Sequence, residues 1–225
     1  MTTRITVDIV SDAICPWCFI GKRRFEQALA QAPQDVEVLV AWRPYQLNPD
    51  MPPEGMDRKT YLSTKFGGDA RADEIYQRVR EAGQTVGIDF DFKGIPRTPN
   101  TIDAHRLIGV AGRAGKQDAV VEALFRAYFL DGRDIGDRDV LAAVASAAGL
   151  DEKTIRDYLA GRDDVDRVEN EDAMARRMGI QGVPCFILNR KYAISGAQEP
   201  AVFLEAIEML KREAAGEAVP APANS

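Results

Sequence analysis

The chain has 225 residues, of which 45% are hydrophobic and 28% are charged, so it can bury a core in one large domain or in one domain that carries an insertion. Its formal net charge of -6 argues against nucleic acid as the main partner, because a phosphate backbone attracts a surplus of Lys and Arg. No apolar run approaches the roughly 18 residues that span a bilayer, and the N-terminal residues contain no secretory signal, so we expect a cytoplasmic protein without a membrane partner.

The N-terminal region predicts a strand, a helix and a second strand. Residues 4–10 alternate polar and apolar side chains and are rich in β-branched residues, which is typical of a strand. Residues 16–31 carry apolar side chains at helical spacing, and Pro16 is tolerated there because a first helical turn does not need its N–H group. Residues 36–43 again have the composition of a strand.

The middle of the chain is mostly helical. After a proline-rich connection at 44–56, the stretch 57–162 has helical periodicity. Several of its segments begin at Asp, Asn or Thr and end at Gly, which are the residues that cap helices. The individual helices are predicted at residues 69–87, 100–115, 116–132, 137–150 and 151–161.

The C-terminal region returns to alternating helix and strand signals. The segments are a helix at 163–178, strands at 184–189 and 191–195, a helix at 200–214 and a disordered tail at 215–225.

The order of these elements predicts an α/β protein, namely a thioredoxin-like fold with a large helical insertion. A strand–helix–strand unit comes first, a helical block follows, and a helix–strand–strand–helix unit comes last. We therefore assign residues 1–50 and 163–214 to a thioredoxin-like domain and residues 51–162 to a helical insertion domain.

Two cysteines bracket a Pro-Trp pair in the sequence CPWC, at the start of the first predicted helix. A helix N-terminus presents unpaired N–H groups and the positive end of the helix dipole, and both stabilise a thiolate. We therefore predict that Cys15 is an exposed nucleophile and that Cys18, one turn later, resolves the mixed disulfide. Trp17 is expected to be a partly exposed aromatic that contacts peptide substrates. A pair of inert, buried thiols is the alternative.

The count of ligands disfavours a structural zinc site. A tetrahedral site needs about four Cys or His ligands. The chain offers Cys15, Cys18, Cys185 and a single histidine, His105, and all four would have to converge. We therefore expect neither a metal nor a tightly bound cofactor.

A second motif, GVPCF at residues 182–186, begins a predicted strand far along the chain. Together with CPWC it resembles the DsbA-type thioredoxin-fold oxidoreductases. Within them it is most similar to the FrnE-like branch, which is related to kappa-class glutathione transferases and 2-hydroxychromene-2-carboxylate isomerases. The resemblance covers nearly the whole chain and is carried by SDAICPWCFIGKRRFE (11–26), RPYQLNP (43–49), NTIDAHRL (100–107), GVPCFILN (182–189) and SGAQ (195–198).

This resemblance implies a substrate groove beside the cysteine pair. It implies a cis peptide bond between Val183 and Pro184, with the backbone of Val183 pairing with an extended substrate segment next to Cys15. The other residues that it places around the groove are Asn48, Ser195 and Gln198.

The resemblance also bears on the type of reaction. The related transferases and isomerases usually have Ser in place of Cys15 and use it to activate glutathione, so two cysteines favour dithiol exchange. DsbA-type centres have His where Trp17 stands here, and that cation would stabilise the thiolate. We therefore predict a centre that is less strongly oxidising than DsbA.

Several other side chains have two interpretations each. Asp8 on the first strand, or Asp12 in the following loop, could accept the proton of Cys18 during resolution, although either could be a solvated carboxylate. Cys185 is either a small core residue or an auxiliary thiol that traps oxidation states. His105 is expected to be a packed, hydrogen-bonded residue rather than an acid or a base.

Two further predictions concern charge. Asn100, at the start of a predicted helix, could face the groove and bind a carboxylate, including one of glutathione. The basic run Lys22, Arg23 and Arg24 is expected to form a solvated helix face.

The leading hypothesis is a thiol–disulfide oxidoreductase that acts on protein or small-molecule thiols and disulfides, with glutathione at most as a co-substrate. One alternative is a glutathione-dependent isomerase or transferase on the same scaffold, in which replacement of Cys18 by Ser would leave the activity intact. A second alternative is a chaperone-like binding module, whose activity would survive the loss of both cysteines.

Overall fold

The computed structural model describes residues 2–217, with the backbone alone at 69 and 70, so residues 218–225 of the tail predicted at 215–225 lie outside the described residues. The elements are β1 (Thr3–Ser11), α1 (Pro16–Leu29), β2 (Val36–Pro44), β3 (Met56–Asp57), α2 (Arg58–Phe66), α3 (Asp69–Gln84), β4 (Arg97–Thr98), α4 (Ile102–Arg113), α5 (Gln117–Phe129), α6 (Arg138–Ala147), α7 (Glu152–Ala160), α8 (Val165–Arg177), β5 (Cys185–Leu188), β6 (Tyr192–Ser195) and α9 (Pro200–Ala214).

Four strands form a mixed sheet in the order β2-β1-β5-β6. The strand β1 is parallel to β2 and antiparallel to β5, and β5 is antiparallel to β6. The connection from β1 through α1 to β2 is the parallel unit that a strand–helix–strand pattern predicts. A block of helices separates β2 from α8. The structure therefore confirms the predicted fold class, a thioredoxin-like α/β fold with a helical insertion.

The two faces of the sheet are covered by different helices. Alternate residues of β1, such as Val7 and Ile9, belong to the main hydrophobic core, in which α1, α9 and the inserted helices also take part. Val10 points the other way and belongs to a small second cluster with Ala175 of α8 and Cys185 of β5. The helix with the cysteine pair therefore lies on the face opposite to Cys185.

The inserted helices share the main core with α1. The ring of Phe19 stacks on that of Phe125 with centroids 5.1 Å apart, and it meets Phe90 edge-on at 6.1 Å. Both predicted domain boundaries, after residues 50 and 162, fall between elements. The hydrophobic core nevertheless runs across them without a break.

Side-chain hydrogen bonds begin and end the inserted helices. Asp57, Asp137 and Asp151 each accept backbone N–H groups of the helix that follows, as the capping pattern predicts. The fully buried Arg106 of α4 donates to backbone carbonyls in the last turn of α7 and just after it, those of Tyr158 and Gly161, both at 3.0 Å. None of the helices between residues 2 and 217 is long and apolar enough to cross a membrane.

Three elements were not predicted individually. The helix α2 lies within the stretch that was expected to be mostly helical, and the two-residue strands β3, at the start of that stretch, and β4, within it, pair antiparallel. A two-residue strand is too short to show any alternation, so the sequence pattern could not reveal it.

Candidate active site

Cys15 is the N-cap residue of α1, at the junction between β1 and that helix. Its backbone N–H donates to the carbonyl oxygen of Asp12 at 3.0 Å, and the N–H of Cys18 donates to the carbonyl oxygen of Cys15 at 3.0 Å. Pro16 occupies the first helical position. Both cysteines are free thiols, so the structure describes the reduced pair.

The Cys15 sulfur lies against the segment that precedes β5. Its thiol donates a hydrogen bond to the carbonyl oxygen of Val183, with 3.4 Å between sulfur and oxygen. The peptide bond between Val183 and Pro184 is cis. Cys15 is only 4% exposed, so the prediction that this thiol is exposed is wrong, whereas its neighbour Trp17 is 38% exposed. The geometry therefore brings the CPWC and GVPCF motifs together and leaves the indole as the most open side chain between the two cysteines.

Cys18 is completely buried, one turn below Cys15. Burial raises the pKa of the Cys18 thiol well above its ordinary value, and the nearby Cys15 thiol raises it further. The Ser11 hydroxyl and the backbone N–H of Asp12 act in the opposite direction and do not compensate. Cys18 therefore holds its proton at neutral pH and must lose it before it can act as a nucleophile.

Close packing holds α1 against the segment with the cis bond. A Cβ atom added to Gly21 would come within 2.9 Å of the Pro184 ring, so only glycine allows this approach. Arg24, on the same helix, donates to the carbonyl oxygen of Ala197 at 2.6 Å and pairs with Glu199 at 2.8 Å. These contacts tie the SGAQ segment to α1.

The two candidate proton acceptors have different surroundings. Asp8 pairs with Arg43 at 2.7 Å and, by strand alternation, shares the sheet face of Val10, away from α1. Asp12 is fully buried and lies within the loop that leads to Cys15. The geometry therefore favours Asp12 over Asp8 as a group that influences the pair.

The side chains of Asp12 and His105 contact each other. The Asp12 carboxylate accepts the N–H of Leu47 at 2.7 Å and lies 3.5 Å from Nε2 of His105. The same Nε2 lies 3.1 Å from the carbonyl oxygen of Tyr45, and because a carbonyl only accepts, this nitrogen carries a proton. His105 is therefore buried and hydrogen-bonded, and it fixes the loop that precedes the cysteine pair.

Asn48 lies in a cleft of about 380 Å³ beside the start of the insertion. Its Oδ1 accepts hydrogen bonds from the Tyr61 hydroxyl at 3.0 Å and from the Lys65 ammonium at 3.1 Å, and both of these residues line the cleft. The Asn100 side chain forms hydrogen bonds with the backbone of the chain itself. Its amide donates to the carbonyl oxygen of Met51, and its Oδ1 accepts from the N–H of Ile102. The helix starts two residues later than predicted, and the Asn100 side chain is part of its entry turn.

The remaining predicted residues lie on β5, at the end of β6 and just after β6. Cys185 is 4% exposed, and burial raises the pKa of its thiol, although the Ser195 hydroxyl lowers it in part. Gln198 is exposed and donates to the carbonyl oxygen of Ser195 at 2.8 Å. The sheet separates Cys185 from α1, and no contact joins it to Cys15 among those that the described residues make.

The prediction of a solvated basic face is wrong. Lys22 is 3% exposed and pairs with Glu26 on its own helix, with Asp118 at 3.1 Å and with Glu122 at 3.3 Å, both from α5. Arg23 pairs with Glu122 as well. Lys22 is buried and Arg23 is half-buried because α5 supplies three carboxylate contacts that the local sequence does not reveal.

Within the part of the chain that the structure describes, no group of three or more His, Cys, Asp or Glu residues could hold a metal ion. The reactive groups assembled here are two thiols, backbone amides and carbonyls, and a buried carboxylate–imidazole contact.

Comparison with known proteins decides the family. A model of the DsbA-like thioredoxin domain matches residues 6–208. The chain belongs to this family. A probable DsbA oxidoreductase of Streptomyces coelicolor is 33% identical, with a TM-score of 0.82 over 98% of this chain and 94% of that one. The protein YwbO of Bacillus subtilis (strain 168) is 29% identical over 90% of this chain and 96% of its own length.

A more distant solved structure shares the fold. The cytosolic disulfide reductase DsbM of Pseudomonas aeruginosa, solved with GSH, is 19% identical, with a TM-score of 0.64 over 92% of this chain and 99% of that chain. At that identity the likeness concerns the fold alone.

Sequence reasoning missed four residues that build this site. Ser11 is small and carries no charge, so nothing in its local pattern distinguishes it, and Gly21 was not singled out. Arg24 and Lys65 were visible as charges, but their partners are distant in sequence. The one available signal was Gly21, inside α1 and shortly after CPWC. Glycine destabilises a helix interior, so its presence there indicates a close packing contact.

Proposed function

We propose that this protein is a thiol–disulfide oxidoreductase in which Cys15 attacks and Cys18 resolves. The observation that carries the proposal is the position of Cys15, at the N-cap of α1 and 3.4 Å from the Val183 carbonyl oxygen, with a second thiol one turn below. Membership in the DsbA-like family agrees with this reading.

The two thiols have different environments, which suits two successive steps. Cys15 has the helix N-terminus at its sulfur and attacks a substrate disulfide, so that a mixed disulfide forms and one substrate thiolate leaves. Cys18 stays protonated and shielded until it displaces the second substrate thiolate and closes the Cys15–Cys18 disulfide. An extended substrate would pair with the backbone at Val183, which places its sulfur next to Cys15.

The test is a redox titration of the pair in glutathione buffers. Trp17 fluorescence and alkylation followed by mass spectrometry would report the state of the two thiols, and a Trp17→Phe variant would identify which indole responds. A single two-electron transition that is lost in both Cys15→Ser and Cys18→Ser supports the proposal. Absence of an intramolecular disulfide in the wild type would reject it.

We expect the potential to lie on the reducing side of DsbA. Trp17 is neutral, so it cannot stabilise the Cys15 thiolate as a cationic His would. The reduction potentials of known centres range from about −270 mV for thioredoxin to about −120 mV for DsbA. For this two-electron couple, a difference of about 30 mV corresponds to about 1.4 kcal/mol of free energy. A value as oxidising as that of DsbA would contradict this expectation.

A glutathione-dependent isomerase or transferase is the second candidate. The cleft at Asn48 favours it, because Lys65 and Tyr61 present a cation and a hydroxyl that suit a peptide carboxylate. In that reaction Cys15 only activates glutathione, so Cys18→Ser would keep full activity. In dithiol exchange the same variant would stop after the first step.

The cytoplasmic location, the absence of a tightly bound cofactor and the nature of the thiol substrates stay predictions. The potential decides between net oxidation and net reduction, because the direction follows from its value relative to the thiol pool of the compartment.

A further inference from the structure

A cavity of about 450 Å³ lies between the edge strand β2 and the helices α4, α5 and α8. Its volume falls within the range of about 300–1,000 Å³ that small-molecule sites occupy in proteins. Gly112 and Arg113 line it and are exposed, so the cavity opens to solvent at the C-terminal end of α4. Neither Cys15 nor Cys18 lines it, so the cavity is separate from the proposed dithiol chemistry.

The inner wall of the cavity is apolar. Leu124 and Phe125 of α5 line it together with Ile108 of α4, and all three side chains are buried. An apolar group that rests on this wall leaves water, and that transfer is favourable. The wall therefore suits the hydrocarbon or aromatic part of a ligand.

The charged residues that line the cavity are mostly arginines. Arg43, Arg113 and Arg167 line it together with a single carboxylate, that of Glu171. None of these four side chains is fully buried, so their charges lie nearer to solvent than the apolar wall does. The positive excess is local, because the whole chain has a net charge of -6. Such a lining attracts an anion and disfavours a cation.

The ion pairs of Arg43 and Arg113 leave some of their donors free. Arg43 pairs with Asp8 through Nε, and Arg113 pairs with Asp164 through Nη2. Neither of these carboxylates lines the cavity. A guanidinium has five N–H donors in one plane, so both arginines still have N–H groups that can donate to a ligand carboxylate.

Arg167 also has an unused donor. Its Nε donates to Asp164 at 3.2 Å and its Nη1 donates to Glu171 at 2.9 Å, whereas its buried Nη2 has no hydrogen-bond partner among the described residues. A Cβ atom at Gly109 would clash with this nitrogen, so glycine makes room for the guanidinium. A buried N–H group without an acceptor is unfavourable, so a rotation of the guanidinium toward a ligand oxygen would be favourable.

The edge of β2 beside the cavity is already covered at Trp42. Oε1 of Gln117 accepts the N–H of Trp42 at 2.9 Å, and Nε2 of Gln117 donates to the Trp42 carbonyl oxygen at 3.2 Å. A covered edge cannot pair with another strand at that position. The lining therefore favours a small molecule over an extended peptide.

We propose that this cavity binds a small organic monocarboxylate with an apolar body. The carboxylate lies among the arginines near the opening, and the apolar body packs on Leu124 and Phe125. The inference goes beyond the proposed dithiol exchange and does not depend on it, because no sulfur takes part in this binding.

The experiment is isothermal titration calorimetry of the full chain with phenylalkanoates, from phenylacetate to 6-phenylhexanoate. The corresponding alcohols and amines are matched neutral and cationic probes. We expect one saturable site for at least one acid, at least tenfold weaker binding of its alcohol and no binding of its amine. Trp42 lines the cavity and is one of two tryptophans in the chain, so its fluorescence in a Trp17→Phe variant reports occupancy of this site.

A charge variant tests the arginines. Arg113→Gln should weaken binding of the acid about tenfold, because a charge-assisted hydrogen bond is lost, and should leave the affinity for the alcohol unchanged. The matched control is Arg177→Gln, since Arg177 is exposed on α8 and does not line the cavity. This control should bind the acid as the wild type does.

A second variant tests the position of the site. Gly112→Leu places a side chain at the opening, so it should weaken binding of the acid and of the alcohol alike. Gly112→Ala adds only a Cβ atom, whose nearest neighbour is the flexible end of Gln117 at 3.2 Å, and it should keep both affinities. Circular dichroism would establish that each variant is folded.

Absence of saturable binding across the whole acid series would overturn the proposal. Equal affinity for an acid and its alcohol would also overturn it, because the arginines would then contribute nothing. So would unchanged binding in both Arg113→Gln and Gly112→Leu, because the ligand would then lie elsewhere. None of these outcomes bears on the redox titration of Cys15 and Cys18, so failure here is distinct from failure of the proposed function.

Discussion

The sulfur of Cys15 lies 3.4 Å from the carbonyl oxygen of Val183, although 168 positions separate the two residues in the chain. The strand β5 and helix α1 achieve this contact by packing at Gly21, which has no side chain to hold them apart. The candidate nucleophile and the candidate substrate-pairing backbone are therefore held by the same packing contact, and variants of either segment should affect the other.

Gly21→Val should destabilise the fold through this contact. The new side chain would meet the Pro184 ring, and overpacking of a core typically costs about 1–3 kcal/mol. Urea unfolding at neutral pH would measure the loss. The matched control is Gly182→Val, since a Cβ there meets nothing within 4 Å. Equal effects of the two substitutions would contradict this account of Gly21.

Glu122→Gln should lower stability at neutral pH by about 1–2 kcal/mol, because it removes the carboxylate that pairs with Lys22 and Arg23 between α1 and α5. Burial acts to raise the pKa of Glu122, but the hydrogen bond from Arg23 and the charges of Lys22 and Arg23 outweigh it and lower that pKa.

The sign of the pH dependence follows from this lowered pKa. The pairing is fully present above the ordinary glutamate pKa of about 4.3 and is lost as the pH falls through the folded-state value. The difference between wild type and Glu122→Gln should therefore vanish in acid. Unfolding curves at neutral and acidic pH would measure it, with the exposed Glu208→Gln as control. A difference that persists in acid would point to packing rather than charge.

Trp17→His should make the pair more oxidising. A protonated imidazole beside Cys15 stabilises its thiolate and hence the reduced state, and 1.4 kcal/mol of such stabilisation raises the potential by about 30 mV. The effect should fade as the pH rises above about 6.5, where histidine loses its charge. Redox titration across that range would measure it, with Trp17→Leu as the neutral control. A potential for Trp17→His that equals that of Trp17→Leu at every pH would exclude the charge effect.

We expect Cys185 to take no part in thiol–disulfide exchange. It is 4% exposed on the far face of the sheet, and burial raises the pKa of its thiol, so it is a poor nucleophile. We expect Cys185→Ala to keep the two-electron redox transition of the Cys15–Cys18 pair, and we expect iodoacetamide to label Cys185 only after unfolding. Rapid labelling in the native protein would restore the auxiliary-thiol hypothesis.

The sequence was informative where a pattern is local. Pro16 and the spacing of the two cysteines predicted the helix start, and the last helix was predicted with the bounds that the structure has, Pro200–Ala214. The fold class followed from the order of such elements.

What the sequence left open depends on contacts between distant segments. The prediction for the basic run was wrong because Lys22 pairs with Asp118 and Glu122, nearly a hundred residues away, and is buried there. Asp8 and Asp12 have similar local surroundings, and only the sheet shows that Asp8 pairs with Arg43 on the other face. The resemblance drew attention to Asn48, but only the folded chain shows that Lys65 and Tyr61 bind its amide oxygen.

Phe19 directly follows Cys18 and stacks on Phe125 of the inserted helices. The sequence of the helical block therefore depends on the sequence of α1. A block taken from a relative would not pack in the same way against an unchanged α1. Anyone who grafts a different block onto this scaffold must also choose a new residue at position 19, and that choice alters the turn on which both thiols stand. Substitutions at this contact in α1 and in the helical block therefore have to be compatible with each other.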